Sequence, residues 1–134
     1  MKKNTGLILL LFTLVVSAII PNTGCKADHR FDIRGTWVIT LVYSDGNQTS
    51  NIYVFSGSKF DGTVRIENIN STGSYTVDGN NIQFSVSYGI TTPFFSNNFS
   101  GAPVAGDYMR GSFNITINDA VTHTGTWDAA KELP

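Results

Sequence analysis

From Gly35 onward the chain is a succession of short runs rich in Thr, Val, Ile, Tyr and Phe, broken by Gly, Asn, Asp and Ser every eight to twelve residues. No segment there repeats its apolar residues at helical spacing, so the pattern is that of an antiparallel meander of short strands. Eight strands are predicted, over 36–43, 49–56, 63–68, 73–78, 82–88, 94–100, 108–118 and 121–129. Ser44-Asp45-Gly46-Asn47, Asp61-Gly62 and Asp78-Gly79-Asn80 read as the turns, because Gly, Asn and Asp tolerate the positive φ angles of tight hairpins.

Side chains of a strand alternate between its two faces. In the first strand this puts Trp37, Ile39, Leu41 and Tyr43 on one side, with Thr36, Val38, Thr40 and Val42 on the other. In the fifth, Ile82, Phe84, Val86 and Tyr88 oppose Gln83, Ser85 and Ser87. An apolar and a polar face describe a sheet that is wet on one side. Without a helix to cover it, such a sheet must close into a barrel or fold into a sandwich, and closure removes the unpaired edges. Glycine followed by Thr or Ser and a large apolar residue recurs at Gly35, Gly62, Gly73, Gly111 and Gly125. Glycines so placed let strands bend tightly or approach a bulky neighbour.

The amino-terminal end has another character. Lys2 and Lys3 precede the apolar run from Gly6 to Ile20, and Pro21 ends it. This is the layout of a signal peptide, and a helix over Leu7 to Ile20 would reach only about 21 Å of the roughly 30 Å hydrocarbon core. Thr23-Gly24-Cys25 resembles the lipobox of bacterial lipoproteins, in which the cysteine takes the lipid and becomes the new N-terminus; Asn22 stands where an aliphatic residue is usual. The competing reading is ordinary cleavage before Asp28, after Cys25-Lys26-Ala27. Cys25 is the chain's one cysteine, which favours lipidation and leaves the exported domain without a disulfide. The expected organisation is a lipoprotein signal peptide over 1–24, a lipidated Cys25 and polar tether over 25–34, and a barrel domain over 35–134. The location this implies is the bacterial cell envelope, with the membrane engaged through the lipid.

Nine Lys and Arg, two of them Lys2 and Lys3 in the leader, stand against ten Asp and Glu. The exported part is therefore slightly acidic and has no basic cluster, which argues against nucleic acid as a partner.

Gly35-Thr36-Trp37, at the entry to the first strand, resembles the G-x-W opening of lipocalins and the wider calycin group. Phe55-Ser56-Gly57, Gly73-Ser74-Tyr75-Thr76-Val77, Phe99-Ser100-Gly101, Met109-Arg110-Gly111 and Gly125-Thr126-Trp127 extend the likeness to small bacterial lipocalin-like envelope lipoproteins. The resemblance implies an all-β fold, a small antiparallel up-and-down eight-stranded β-barrel, and a calyx for a small apolar ligand. A late-strand arginine of the lipocalin pattern is not matched, since Lys131 falls beyond the last predicted strand.

Catalytic signatures are absent from the sequence. His29 lies in the tether and His123 among threonines, no G-x-S-x-G or H-E-x-x-H run occurs, and Asp45, Asp61, Asp78 and Asp107 neighbour glycine as turn residues do. The expectation is a non-enzymatic protein with no catalytic residue, metal or cofactor. The aromatic residues are the remaining lead. Trp37, Tyr53, Phe84, Tyr88 and Phe99 are candidates to line a ligand cavity, and the same residues could instead fill the barrel as solid core. Phe94 and Phe95 are consecutive and cannot both point inward, so one of them is a lid or contact residue for a protein partner, the alternative to a small ligand.

Overall fold

The computed structural model describes residues 31–89 and 94–133. The leader, Cys25, His29 and loop residues 90–93 lie outside them. Eight strands follow one another: β1 (Gly35–Tyr43), β2 (Gln48–Gly57), β3 (Asp61–Ile66), β4 (Ser71–Asp78), β5 (Asn81–Tyr88), β6 (Phe95–Ala105), β7 (Tyr108–Ile117) and β8 (Ala120–Lys131). Each pairs antiparallel with the next, and β8 returns to β1 through Trp37 opposite Lys131 up to Tyr43 opposite Gly125. The sheet is thus a closed all-β barrel, and every strand has two partners.

The two faces follow the alternation. Trp37, Ile39 and Leu41 are buried while Thr36, Val38, Thr40 and Val42 are half-buried, and Ile82, Phe84 and Val86 are buried beside exposed Gln83. The inner face of all eight strands merges into one apolar core.

Glycine and aromatic residues interlock across this core. Gly62 sits opposite Tyr75, Gly111 opposite Trp127 and Gly125 opposite Phe113. A methyl at Gly62 would meet the Tyr75 ring at 2.8 Å, and one at Gly125 would meet the Phe113 ring at 2.8 Å. At Gly62 and Gly125 the recurrent glycine signature is therefore a packing device: the bare glycine makes room for a ring on the adjacent strand.

Several boundaries differ from the sequence expectation. Asp61 and Gly62 open β3 and are not a turn; the reversal lies at Ser58–Phe60, where the Ser58 backbone N–H donates to the Asp61 carbonyl at 2.9 Å. Strand β6 continues past Ser100 to Ala105, because Pro103 falls where the β6–β7 register shifts and its missing N–H breaks no regular pair. Strand β8 runs to Lys131, which corrects the placing of that residue beyond the last strand.

The same end of the barrel corrects the tether. Residues 31–34 belong to the barrel's base: Ile33 is fully buried, and the Trp37 indole N–H donates to its carbonyl at 2.7 Å. Phe31 packs against Trp37 with ring centroids 6.0 Å apart. Lys131 Nζ donates to the Asp32 carbonyl at 2.9 Å and stands 5.5 Å from the Trp37 ring centroid, so a late-strand cation covers the G-x-W tryptophan after all.

Candidate functional site

The hairpins β1–β2, β3–β4, β5–β6 and β7–β8 turn at the pole opposite this base. Their tight geometry comes from local chemistry. Asp45 Oδ1 accepts the Asn47 backbone N–H at 2.9 Å with Gly46 at φ 93°, and Asn118 and Asp119 adopt φ 51° and 68° as a two-residue turn. Inside this ring of turns the inward residues do not meet, and a mouth of about 530 Å³ remains. Tyr43, Tyr88, Phe95, Ile115, Ile117 and His123 form its walls, with Asp45, Asn47, Gln48 and Thr49 on the rim.

Aromatic groups occupy two opposite sides. Tyr88 and Phe95, paired across β5 and β6, lie ring over ring at 5.3 Å and 8°. Tyr43 on β1 and His123 on β8 meet edge to face at 5.8 Å and 79°. In a closed ring of eight strands β1 and β5 are diametrically opposed, so these two pairs face each other across the opening.

A polar layer lies below. Asn97, one inward step below Phe95 on β6, is the one buried polar side chain among the described residues, 5% exposed. Its Oδ1 accepts from the Tyr88 hydroxyl at 3.3 Å. Burial pushes the Tyr53 phenol well above its ordinary range, with the Asn97 carboxamide pulling the other way; burial likewise raises Tyr88, helped by neighbouring Tyr43. Both hydroxyls are therefore neutral donors at physiological pH.

Beneath this layer the middle of the barrel is packed with rings. Phe84 and Phe99 stack at 4.2 Å and 8°, and Trp127 meets them edge to face at 5.4 and 5.9 Å. The Trp127 indole N–H is shared between the Ser112 carbonyl at 2.9 Å and the Ser100 carbonyl at 3.3 Å, which fixes that ring in the centre.

Among the five expected lining residues, only Tyr88 borders the mouth. Trp37, Tyr53, Phe84 and Phe99 are at most 3% exposed and belong to the filled part, with Trp37 at the far pole. The consecutive phenylalanines divide as alternation requires: Phe95 faces the mouth, while Phe94 is 46% exposed beside the rim. Phe94 is held there by two contacts with the neighbouring turn, its N–H donating to Asn118 Oδ1 at 3.2 Å and its carbonyl accepting the Asn118 N–H at 3.1 Å.

Tyr43, Ile115, Ile117 and Asn97 were missed, and Asn97 had a readable signal. In the inward series Phe95, Asn97, Phe99, a carboxamide interrupts an apolar phase. A broader depression of about 630 Å³ crosses the outer wall over β6–β8. Its rim is Asn98, Ser100, Ser112, Asn114, Thr124 and Thr126, and Phe113 beneath it is only 4% exposed, so it turns no aromatic face to a ligand. Among the described residues no three His, Cys, Asp or Glu side chains gather as a metal site.

No protein-family model and no curated protein matches the chain. Solved structures do. EF1p2_mFAP2b bound to DFHBI superposes with a TM-score of 0.59 at 14% identity, over 79% of this chain and 97% of that one. A redesigned beta barrel, b11L5F_LGL, superposes with a TM-score of 0.57 at 15% identity, over 80% and 96%. At such identities the likeness is one of fold, a small closed barrel.

Proposed function

We propose that this chain is a non-enzymatic, exported binding barrel, held in the bacterial cell envelope by a lipid on Cys25, and that it takes a small, largely apolar molecule into the mouth between β1 and β5. The observation that carries the reading is a concave mouth of about 530 Å³, walled by aromatic and aliphatic side chains, at one pole of a barrel whose middle is packed with rings. That volume is within the span of ordinary small-molecule sites, which combine apolar walls with a few placed polar groups. The fold neighbour bound to DFHBI supports it, since that barrel too holds a small molecule. Export and lipidation rest on the leader and on Thr23-Gly24-Cys25.

The test uses an uncharged apolar fluorophore, N-phenyl-1-naphthylamine, with the intact chain and with Ile117→Arg. Ile117 is half-buried in the mouth, so the variant keeps the core while placing a charge across the opening. Fluorescence enhancement by the intact chain and its loss in a folded variant is the expected outcome. Equal enhancement by both rejects the mouth as the site. For the anchor, Cys25→Ser is expected to move the protein from the membrane to the soluble fraction, and an unchanged distribution rejects lipidation.

A second reading draws on the rim. Phe94 and Val121, 46% and 60% exposed, flank the mouth as apolar contacts suited to a protein partner. Phe94→Ser separates the two readings, because it should weaken capture of a protein partner and leave the fluorophore signal unchanged.

A further inference from the structure

We infer, resting on the lipid anchor proposed above, that the base of the barrel makes a second contact with the membrane: Phe60, Val104 and Leu133 meet the bilayer at headgroup depth, by apolar contact and without selecting anionic lipid.

The side chains come first. Phe60, Val104 and Leu133 are 69%, 50% and 79% exposed, and all three stand at the pole opposite the mouth, in the β2–β3 turn, at the end of β6 and just past β8. The exposure of Phe60 is imposed by its backbone. Its N–H donates to Ser58 Oγ at 3.1 Å and its carbonyl accepts the Val77 N–H at 2.7 Å, so the turn is fastened to β4 while the ring is left in solvent. Beside it, Phe31, Val77 and Pro103 surround a cleft of about 280 Å³ with Lys59 on its edge. An apolar patch with a lysine at its margin suits a bilayer surface, where rings and aliphatic groups sink and the ammonium stays among the headgroups.

Reach selects the occupant. Phe31 belongs to this patch, and residues 26–30 are all that separate it from Cys25. Six extended residues span at most about 21 Å. A small folded domain is about 30 Å across, too thick to enter between the base and a membrane that holds Cys25. The bilayer surface itself needs no such room.

Charge sets the kind of lipid. Asp32, Asp61, Asp78, Asp107 and Glu132 outnumber Arg34, Lys59 and Lys131 at this pole. Anionic headgroups gain nothing from such a face, so the contact is apolar and shallow.

The test uses the full chain, expressed, lipidated and reconstituted in phosphatidylcholine vesicles. With the Cys25 thiol taken by the lipid, the cysteine introduced by Phe60→Cys, Leu133→Cys or Phe94→Cys is the single site for an environment-sensitive nitrobenzoxadiazole label. All three side chains are exposed, so labelling leaves the core intact, and Leu133→Cys keeps Phe60 in place. Lipids carrying a nitroxide near the headgroup are expected to quench the labels of Phe60→Cys and Leu133→Cys at least about threefold more than that of Phe94→Cys at the mouth. Adding phosphatidylglycerol is expected to leave this ratio unchanged. Protein that does not float with the vesicles removes the anchor and the base contact together. Vesicle-bound protein whose three labels are quenched alike keeps the anchor and overturns the contact. Base labels shielded from water without being quenched also overturn it, marking a face covered by a second copy of the chain. Quenching that appears only with phosphatidylglycerol overturns the apolar contact in favour of an electrostatic one.

Discussion

At the scale of single residues, the barrel spends its aromatic side chains on two different tasks, and height along the axis decides which. Phe84 touches Tyr53, Phe55, Phe99 and Trp127 at ring separations of 4.2 to 6.3 Å. Phe84→Ala is accordingly expected to cost about 3–5 kcal/mol, a large part of the roughly 5–15 kcal/mol that holds a domain folded, as urea unfolding would show. Titrating groups set the pH limits. Tyr53 is neutral in the fold well beyond the range in which a free phenol ionises, so the unfolded chain alone loses its proton above about pH 10. Its contribution is complete below that pH and is lost as pH rises further; Tyr53→Phe should flatten the alkaline fall of the urea midpoint. Asp32 works at the other end, its carboxylate held at about 2 by the Arg34 guanidinium bonded to it at 2.6 Å. Its contribution is present above the ordinary value of 3.8 and disappears as pH falls through about 2. The pair is solvent-exposed, so Asp32→Asn should change acid stability by under about 1 kcal/mol. Residue facing was legible in the sequence, since Trp37 and Tyr43 both read as inward on β1. Their separation into opposite poles was not, because alternation reports the face of a strand and says nothing of how far its neighbours extend around a side chain.

At the scale of elements, all eight strands were legible from turn chemistry and alternation, and the errors fell where a local signal was outweighed by pairing. The sixth strand reads as ending at Ser100, yet β6 passes through Pro103 at a register shift. Asp61-Gly62 reads as a turn, yet Gly62 is a strand residue whose missing side chain admits Tyr75, while the Tyr75 hydroxyl reaches over the reversal to the Ser58 carbonyl. Glycine in a strand is ambiguous until its cross-strand partner is known. Gly125 shows how strongly these positions are constrained: an added methyl would collide with the Val42 carbonyl as well as the Phe113 ring. Gly125→Ala is expected to destabilise by about 1–3 kcal/mol, read as a lowered melting temperature, whereas Ala in place of Gly46, whose side-chain position is open, should cost only its strained φ of 93°.

At the scale of the whole molecule, the pairing of β8 with β1 joins residues 82 to 94 positions apart, from Tyr43 with Gly125 to Trp37 with Lys131. No local pattern announces such a register, which is why alternation alone left barrel and sandwich open, and the expectation of a barrel came from the lipocalin-like resemblance and the need to remove edges. The base depends on the same long-range contact. Ile33 plugs it under the Trp37 ring, and Lys131 clamps the segment from β8. Ile33→Ala should cost about 2–5 kcal/mol and shift tryptophan emission to the red as Trp37 meets water. This plug also gives the molecule a direction. The polypeptide enters at the pole opposite the mouth, so anything that holds it by its amino-terminal end holds it as a stem holds a goblet, with the cup turned outward. A solute diffusing in from the aqueous side then meets the opening first, and a lipid leaving the supporting bilayer would have to climb the full height of the wall to reach it.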